Sequence, residues 1–151
     1  MKPDHEQRLL DRIAVLRQLA LTVLARRAGS AAGAEAIAAA ADRAYEDLAR
    51  VVAPVIGDIG VNALTNRALH LAEGEYPWLR PTRERKPAEE GFAHISGALK
   101  AQDAAVATEA AATVFARFLG LLATFIGEPL AMRLVRQAWP DALPGAHAEE
   151  T

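Results

Sequence analysis

Apolar residues recur every three or four positions along most of the chain, which is the spacing of one face of an α-helix. The first such stretch spans residues 4–28 and is followed by Gly29, a residue typical of a helix end. A second stretch spans residues 34–56 and a third spans 59–73, with Gly57 between them. The first half of the chain is therefore predicted to contain three helices.

The second half repeats this kind of pattern after a loop rich in proline and charge. Residues 74–87 contain three prolines, and proline removes backbone donors that a helix needs. Helical spacing resumes at residues 88–101 and continues over 103–126 and 129–139. The complete pattern predicts a bundle of about six helices.

One domain accounts for nearly the whole chain. The halves 1–73 and 88–140 are joined by loop 74–87, and together they are predicted to form a single helical domain over residues 1–140. A chain of this size buries enough surface for one hydrophobic core. Residues 141–151 are predicted to be a disordered tail.

The two halves align without a gap at an offset of 70 residues. This offset places Ile126-Gly127-Glu128 on Ile56-Gly57-Asp58, and Phe115 on Tyr45. Glycine supplies the left-handed conformation that closes a helix, and an acidic residue suits the positive end of the next helix. We interpret the halves as two pseudo-repeated helical hairpins; the alternative is two amphipathic hairpins of equal length that match by chance.

Local signals mark two helix starts in the second half. Asp103 precedes a long apolar stretch and is the expected N-cap. Pro129 lies where a first helical turn is expected, and proline is favoured there because its missing N–H has no helical partner.

Composition favours an all-α fold. The chain contains 35 alanines among its 52% hydrophobic residues, whereas aromatic residues make up only 5%. Alanine has the highest helix propensity and its small side chain lets helices approach closely. Strands prefer aromatic and β-branched residues, which are scarce here. The sequence therefore predicts helices and no sheet.

Charge and hydropathy predict a cytoplasmic protein. A formal net charge of −2 does not favour nucleic-acid binding. The longest uncharged apolar run, residues 118–127, is shorter than the roughly 20 residues of a membrane-spanning helix. The start of the chain lacks the pattern of a signal peptide, and no cysteine is present to form a disulfide. We expect neither a membrane nor a nucleic-acid partner.

Two histidine–glutamate pairs are weak candidates for a metal site. His70 and Glu73 lie three residues apart on one predicted helix, and Glu90 and His94 lie four apart on another. Both spacings place a pair on one helix face, as helical metal or haem sites require. The alternative is that these histidines are solvated or cap a helix end, and we expect no metal and no cofactor.

Catalytic motifs are not evident. His94 is followed by Gly97 and Lys100, but at spacings that differ from those of a histidine phosphotransfer helix, so phosphotransfer through His94 is a minor hypothesis. The two serines, Ser30 and Ser96, lie outside any nucleophile motif. The absence of such motifs favours a non-catalytic protein. The alternative left open is an enzyme that uses His70, Glu73, Glu90 or His94 as acid and base.

The loop between the halves is a candidate contact site for a protein partner or an anion. Aromatic and arginine side chains are enriched among interface residues that dominate binding energy. The alternative is that the aromatic residues cover the end of the bundle while the charges only solvate the loop. The candidate residues are Tyr76, Trp78, Arg80, Arg83, Arg85 and Lys86.

Two functions follow from these patterns. The first is a non-catalytic regulatory or adaptor protein of the bacterial cytosolic type, which acts through protein contacts or self-association. The second is a small-molecule-sensing domain with an apolar pocket between the hairpins, for which a cavity of about 300 Å³ or more is expected. The predicted pocket residues are Phe115, Phe118, Leu122 and Phe125.

Overall fold

The computed structural model describes residues 3–29, 33–79 and 92–140. The described residues form helices and turns, with no β-strand among them, which confirms the all-helical prediction. In chain order the helices are α1 (Pro3–Ala28), α2 (Ala34–Ala72), α3 (Phe92–Lys100), α4 (Ala104–Ile126) and α5 (Glu128–Ala138), with a short 3₁₀ helix at Pro77–Leu79 after α2.

The described part of the chain has five α-helices, and the predicted number of about six is not confirmed. The elements expected at 34–56 and 59–73 are two helical segments of α2 that meet at a sharp kink at Gly57, the residue with non-helical φ and ψ. Helical structure resumes directly after this glycine, so no connecting loop separates the two segments. The predicted 88–101 helix is described only from Phe92 onward.

Glycines with positive φ mark the chain reversals. Gly57 has φ 85° and ψ 159°, and Gly127, between α4 and α5, has φ 95° and ψ 146°. This region of backbone space is nearly restricted to glycine because a Cβ atom would clash there. Pro129 lies in the first turn of α5, as predicted. Asp103 occupies the N-cap position of α4, although its side chain makes no capping hydrogen bond within the described structure.

The chain doubles back at each of these two glycines. The Tyr45 hydroxyl lies 2.8 Å from the Thr65 hydroxyl, although the two residues are about 18 Å and 12 Å along the helix from Gly57 at 1.5 Å per residue. Phe115 and Trp139, on opposite sides of Gly127, meet edge to face with ring centroids 5.2 Å apart. Both contacts require the paired segments to lie side by side.

Helix α4 is the centre of the core. It packs against α1 on one side and α2 on another, α3 packs mainly on α2, and α5 contacts both α2 and α4. Alanine provides many of the buried positions in α2 and α4, so these helices approach closely. The largest fully buried side chains include Trp139, Phe115 and Leu48.

A polar cluster joins the ends of α1 and α5 to the middle of α2. Arg27 forms a salt bridge with Asp47 and donates a hydrogen bond to the Ala138 carbonyl oxygen at 3.4 Å. Arg50 also contacts Asp47, at 3.1 Å. Because Arg27 reaches both α2 and α5, it fixes the position of α1 relative to them.

Two helices, α2 and α4, are long and apolar enough to cross a membrane by length and composition. In α4, 61% of the most apolar stretch is buried inside the protein, whereas in α2 the buried share is 22%. A buried core helix can meet the same criteria, so length and composition do not assign a location.

Candidate functional site

A cleft of about 170 Å³ lies between α1, α4 and the end of α2. Its walls are mainly apolar, but two arginine side chains enter it. The lining residues are Arg12, Ile13, Leu71, Ala116, Arg117, Gly120, Leu121 and Thr124. We call this space the arginine cleft.

Arg117 is the unusual residue of the cleft. It is the only charged residue of the sequence between Glu109 and Glu128, and its side chain is 32% exposed. Its Nη2 atom lies 3.5 Å from the Glu75 Oε2 atom, which is long for a hydrogen bond to a charged group. Its Nε atom is buried and has no acceptor among the residues that the structure describes.

Arg12 enters the cleft from α1. Its Nη2 atom donates to the Glu128 Oε1 atom at 3.1 Å, which joins α1 to the start of α5. Both side chains are partly exposed, at 32% and 55%, so solvent screens this pair and it contributes little stability. The contact keeps the Arg12 side chain at the cleft, but water or another anion can replace Glu128 as its acceptor.

Gly120 leaves room on the α4 side of the arginine cleft. A Cβ atom added to Gly120 would meet no described atom within 4 Å outside its own stretch of helix. Gly120 is also within the helix, where glycine costs about 1 kcal/mol relative to alanine. The open space of the cleft therefore extends up to the α4 backbone at this position.

A wider groove lies beside the arginine cleft, between α1 and α5. Its volume is about 370 Å³, within the ordinary range for small-molecule sites. It is lined by Asp11, Arg12, Val15, Leu16, Glu128 and Met132. Arg12 lines both spaces, so the two adjoin at this residue.

Large apolar side chains are exposed next to both glycine turns. Val55 and Ile59, on either side of Gly57, are 46% and 86% exposed. Phe125, two residues before Gly127, is 67% exposed. The two turns therefore present apolar surface to solvent at the places where the chain reverses.

The predicted loop residues are only partly within the described chain. Tyr76 and Trp78 pack against the core, half-buried, and their rings meet edge to face with centroids 5.9 Å apart. They lie beside Leu79, which is fully buried and whose N–H donates to the Tyr76 carbonyl oxygen at 2.9 Å. The remaining predicted contact residues, which are Arg80, Arg83, Arg85 and Lys86, lie outside the described residues.

The structure separates the four predicted pocket residues. Phe115, Phe118 and Leu122 are buried in the core, where Phe118 also contacts the ring of Tyr45 edge to face. Phe125 points to solvent instead. None of the four lines the arginine cleft or the wider groove.

Only one of the two predicted histidine–glutamate pairs lies within the described residues. His70 is exposed on α2, and Glu73 lies at the end of that helix, half-buried. Glu90 and the His94 side chain lie outside the described residues. Within the described ranges, no group of three or more histidine, aspartate or glutamate residues is arranged to hold a metal ion.

Sequence reasoning did not select Arg12, Arg117 or Gly120. A signal for Arg117 is present, because a single charge interrupts the most apolar helix of the chain. A buried helix face rarely carries an arginine unless a partner compensates its charge. For Arg12 the sequence holds no comparable signal, since α1 carries several arginines.

Comparisons with known proteins do not indicate a function for these residues. No protein-family model matches the chain, and no curated protein or solved structure matches it significantly.

Proposed function

We propose that this chain is a non-catalytic regulatory or adaptor protein of the bacterial cytosolic type, which acts through protein–protein contacts at its two glycine turns. The observation that carries the proposal is the exposure of Ile59 and Phe125, at 86% and 67%. Exposed apolar surface is favourably removed from water when a partner covers it. The partner that we propose first is a second copy of the chain.

The surroundings of each turn support a contact surface. At the first turn, Val55 adds a second exposed apolar side chain beside Ile59. Asp58 at the first turn and Glu128 at the second are exposed acidic residues. Apolar residues with a polar border are the usual arrangement at protein interfaces.

We also propose that the two halves are a structural repeat of helical hairpins. The starts of α2 and α4, Ala34 and Ala104, are separated by the same 70 residues as the two turns. Gly57 and Gly127 adopt nearly the same backbone conformation. The first helix of each half packs mainly on the long helix of the other half: α1 packs on α4, and α3 packs on α2. Two related halves would pack in this reciprocal way. A repeat would place equivalent contact surfaces at the two turns.

Sedimentation velocity of the full chain tests self-association. We expect the wild-type protein to form a concentration-dependent oligomer, and we expect Ile59→Asp and Phe125→Asp to shift it toward the monomer because a buried charge disfavours the interface. Ala39→Asp is the matched control, since Ala39 is exposed on α2 far from both turns. Circular dichroism checks that all variants keep their helices.

Affinity purification from the native host tests the wider proposal. The chain should retain the same bound proteins after Ala39→Asp and lose them after Ile59→Asp or Phe125→Asp. A wild-type monomer whose bound proteins are unchanged by both turn variants would refute the proposal. Microscopy of the tagged chain checks the cytoplasmic location that the proposal includes.

A second candidate function is small-molecule sensing, favoured by the arginine cleft and the adjoining groove. The wider groove has a volume of about 370 Å³, and the smaller cleft is lined by the side chains of Arg12 and Arg117. In this version the site lies between α1 and the α4–α5 hairpin, and it does not involve the core phenylalanines.

A further inference from the structure

We propose that the arginine cleft binds a small carboxylate with a short aliphatic chain, and that Arg117 holds the carboxylate. This inference rests on the second candidate function and names its ligand class. Its test is separate from that of the protein contacts proposed at the glycine turns, because the exposed apolar residues Val55, Ile59 and Phe125 do not line the cleft.

The hydrogen-bonding state of Arg117 is the first argument for an anion. A guanidinium group has five N–H donors and no acceptor. In the described structure, the Nη2 atom of Arg117 makes a long contact with Glu75, and the buried Nε atom has no acceptor. An anion in the cleft that accepts from the two Nη atoms would form the paired bonds that arginine makes with carboxylates.

The charge around the cleft favours a ligand with one negative charge. Glu75 contacts Arg117, and Glu128 contacts Arg12, each through a single guanidinium nitrogen. Two carboxylates therefore already offset part of the positive charge of the two arginines. A monoanion such as a carboxylate fits this balance better than a doubly charged phosphate group, which the two glutamates would repel.

The walls of the cleft indicate an aliphatic chain beside the charged group. Ile13 comes from α1, Leu71 from α2 and Leu121 from α4. The cleft has a volume of only about 170 Å³, so the chain must be short. Where it leaves the cleft past Arg12, the wider groove offers the apolar side chains of Val15 and Met132.

Nuclear magnetic resonance titration of the full chain tests the proposal with three probes of equal length: hexanoate, hexan-1-ol and hexylamine. We expect hexanoate to shift the Arg117 Nε–Hε signal and the amide signals of Gly120 and Leu121. We expect hexan-1-ol to bind about tenfold more weakly or worse, because it cannot replace a charge-assisted bond. Hexylamine should cause no saturable shift.

Two variants test the site in different ways. Arg117→Gln removes the guanidinium and should weaken hexanoate binding about tenfold or more. Gly120→Leu keeps Arg117 and fills the open space on α4; it should abolish binding while the fold is maintained, because leucine favours a helix more than glycine does. Arg133→Gln is the control, since Arg133 is exposed on α5 and does not line the cleft.

The outcomes separate the ligand class from the function. Equal binding of hexan-1-ol and hexanoate, or unchanged hexanoate binding in Arg117→Gln, would refute the carboxylate but leave a small-molecule site. Unchanged hexanoate binding in Gly120→Leu would place any site elsewhere. If none of the probes shifts a cleft signal in the wild-type protein, the ligand class is wrong; shifts confined to Val15 and Met132 would instead assign small-molecule binding to the wider groove.

Discussion

The indole Nε1 atom of Trp139 donates a hydrogen bond to the main-chain carbonyl oxygen of Ala44, at 3.1 Å. Trp139 is fully buried, and its ring also meets Phe115 edge to face. One side chain at the end of α5 is thereby attached to the middle of α2 and to α4. The position of α5 on the bundle depends on this contact.

Replacing Trp139 should therefore be among the most destabilising changes in the protein. Trp139→Ala removes a large buried ring and should lower the free energy of unfolding by about 3–5 kcal/mol. Trp139→Phe keeps much of the packing but removes the donor to Ala44 and should cost about 1–3 kcal/mol. Urea unfolding followed by circular dichroism measures both values.

Trp78 provides the control for this prediction, because it is the other of the two tryptophans and is only half-buried. In Trp78→Phe, fluorescence reports Trp139 alone, and it should be blue-shifted and resistant to quenching by iodide. Strong quenching in that variant would contradict the buried position of Trp139.

Replacing the turn glycines should destabilise the protein, whereas replacing a helical glycine should not. Gly57→Ala and Gly127→Ala each force a Cβ atom into a backbone region that disfavours it, with φ of 85° and 95°, and should cost about 1–3 kcal/mol. Gly120→Ala should stabilise by about 0.5–1 kcal/mol, because Gly120 is helical and has open space beside it. Thermal and urea unfolding of the three variants measure the difference.

A loss of stability in Gly120→Ala equal to that in Gly57→Ala would contradict this explanation. It would mean that glycine is required for a reason other than backbone conformation.

Tyr45 should make the stability of the protein depend on pH at alkaline values. Burial raises the pKa of Tyr45 above its ordinary value of 10.0. The Thr65 hydroxyl donates to the Val61 carbonyl oxygen at 2.8 Å, so the Tyr45 hydroxyl is the donor to Thr65. Ionisation of Tyr45 would remove this donor and bury a charge.

The sign follows from the raised pKa. The folded state holds the Tyr45 proton more tightly than the unfolded state does, so the stabilising contribution is complete below about pH 10 and declines as pH rises through the raised pKa. Tyr45→Phe should cost about 0.5–1.5 kcal/mol at pH 8 and should show a smaller decline at alkaline pH. Parallel declines in both proteins, measured by urea unfolding from pH 8 to pH 11, would assign the effect to other groups.

Arg27 and Arg50 contact the same carboxylate but should differ in their contribution to stability. The Arg27 side chain is 17% exposed and joins three helices, whereas the Arg50 side chain is 72% exposed. Arg27→Ala should cost about 1.5–3 kcal/mol because a hydrogen bond to a charged group is lost from a partly buried site. Arg50→Ala should change stability by less than about 0.5 kcal/mol because water screens the exposed pair.

Urea unfolding in low and high salt tests this comparison. The Arg50→Ala difference should vanish in high salt, whereas most of the Arg27→Ala difference should persist. Equal losses in the two variants would show that exposure does not govern these salt bridges.

Helix boundaries were predictable because their signals are local. The stretch predicted at 103–126 is observed at Ala104–Ile126, and the helix predicted at 129–139 is observed at Glu128–Ala138. Apolar spacing, a terminal glycine and a proline in the first turn each act within one or two turns of helix. The loop prediction over residues 74–87 was less complete, since Pro77–Leu79 forms a 3₁₀ helix that closes on the core.

The candidate site was not predictable in the same way. Arg117 is visible in the sequence as one charge in an apolar helix, but the absence of an acceptor for its Nε atom depends on the residues that pack around it. The cleft forms where α1 and Leu71 approach α4, which are parts of the chain far apart in sequence. No spacing rule within one helix describes that approach.

The sequence alone determined the all-helical class of the described chain, the ends of α4 and α5 and the two turn glycines, because helix propensity, apolar spacing and the freedom of glycine act over a few neighbouring residues. The tertiary structure decided which apolar faces are covered. Phe115 and Phe118 are buried, whereas Phe125 on the same helix is 67% exposed. The physical reason is that the burial of a side chain depends on which other helices pack against its part of α4. Phenylalanines on the same helix are therefore buried where neighbouring helices cover them and exposed where that cover ends.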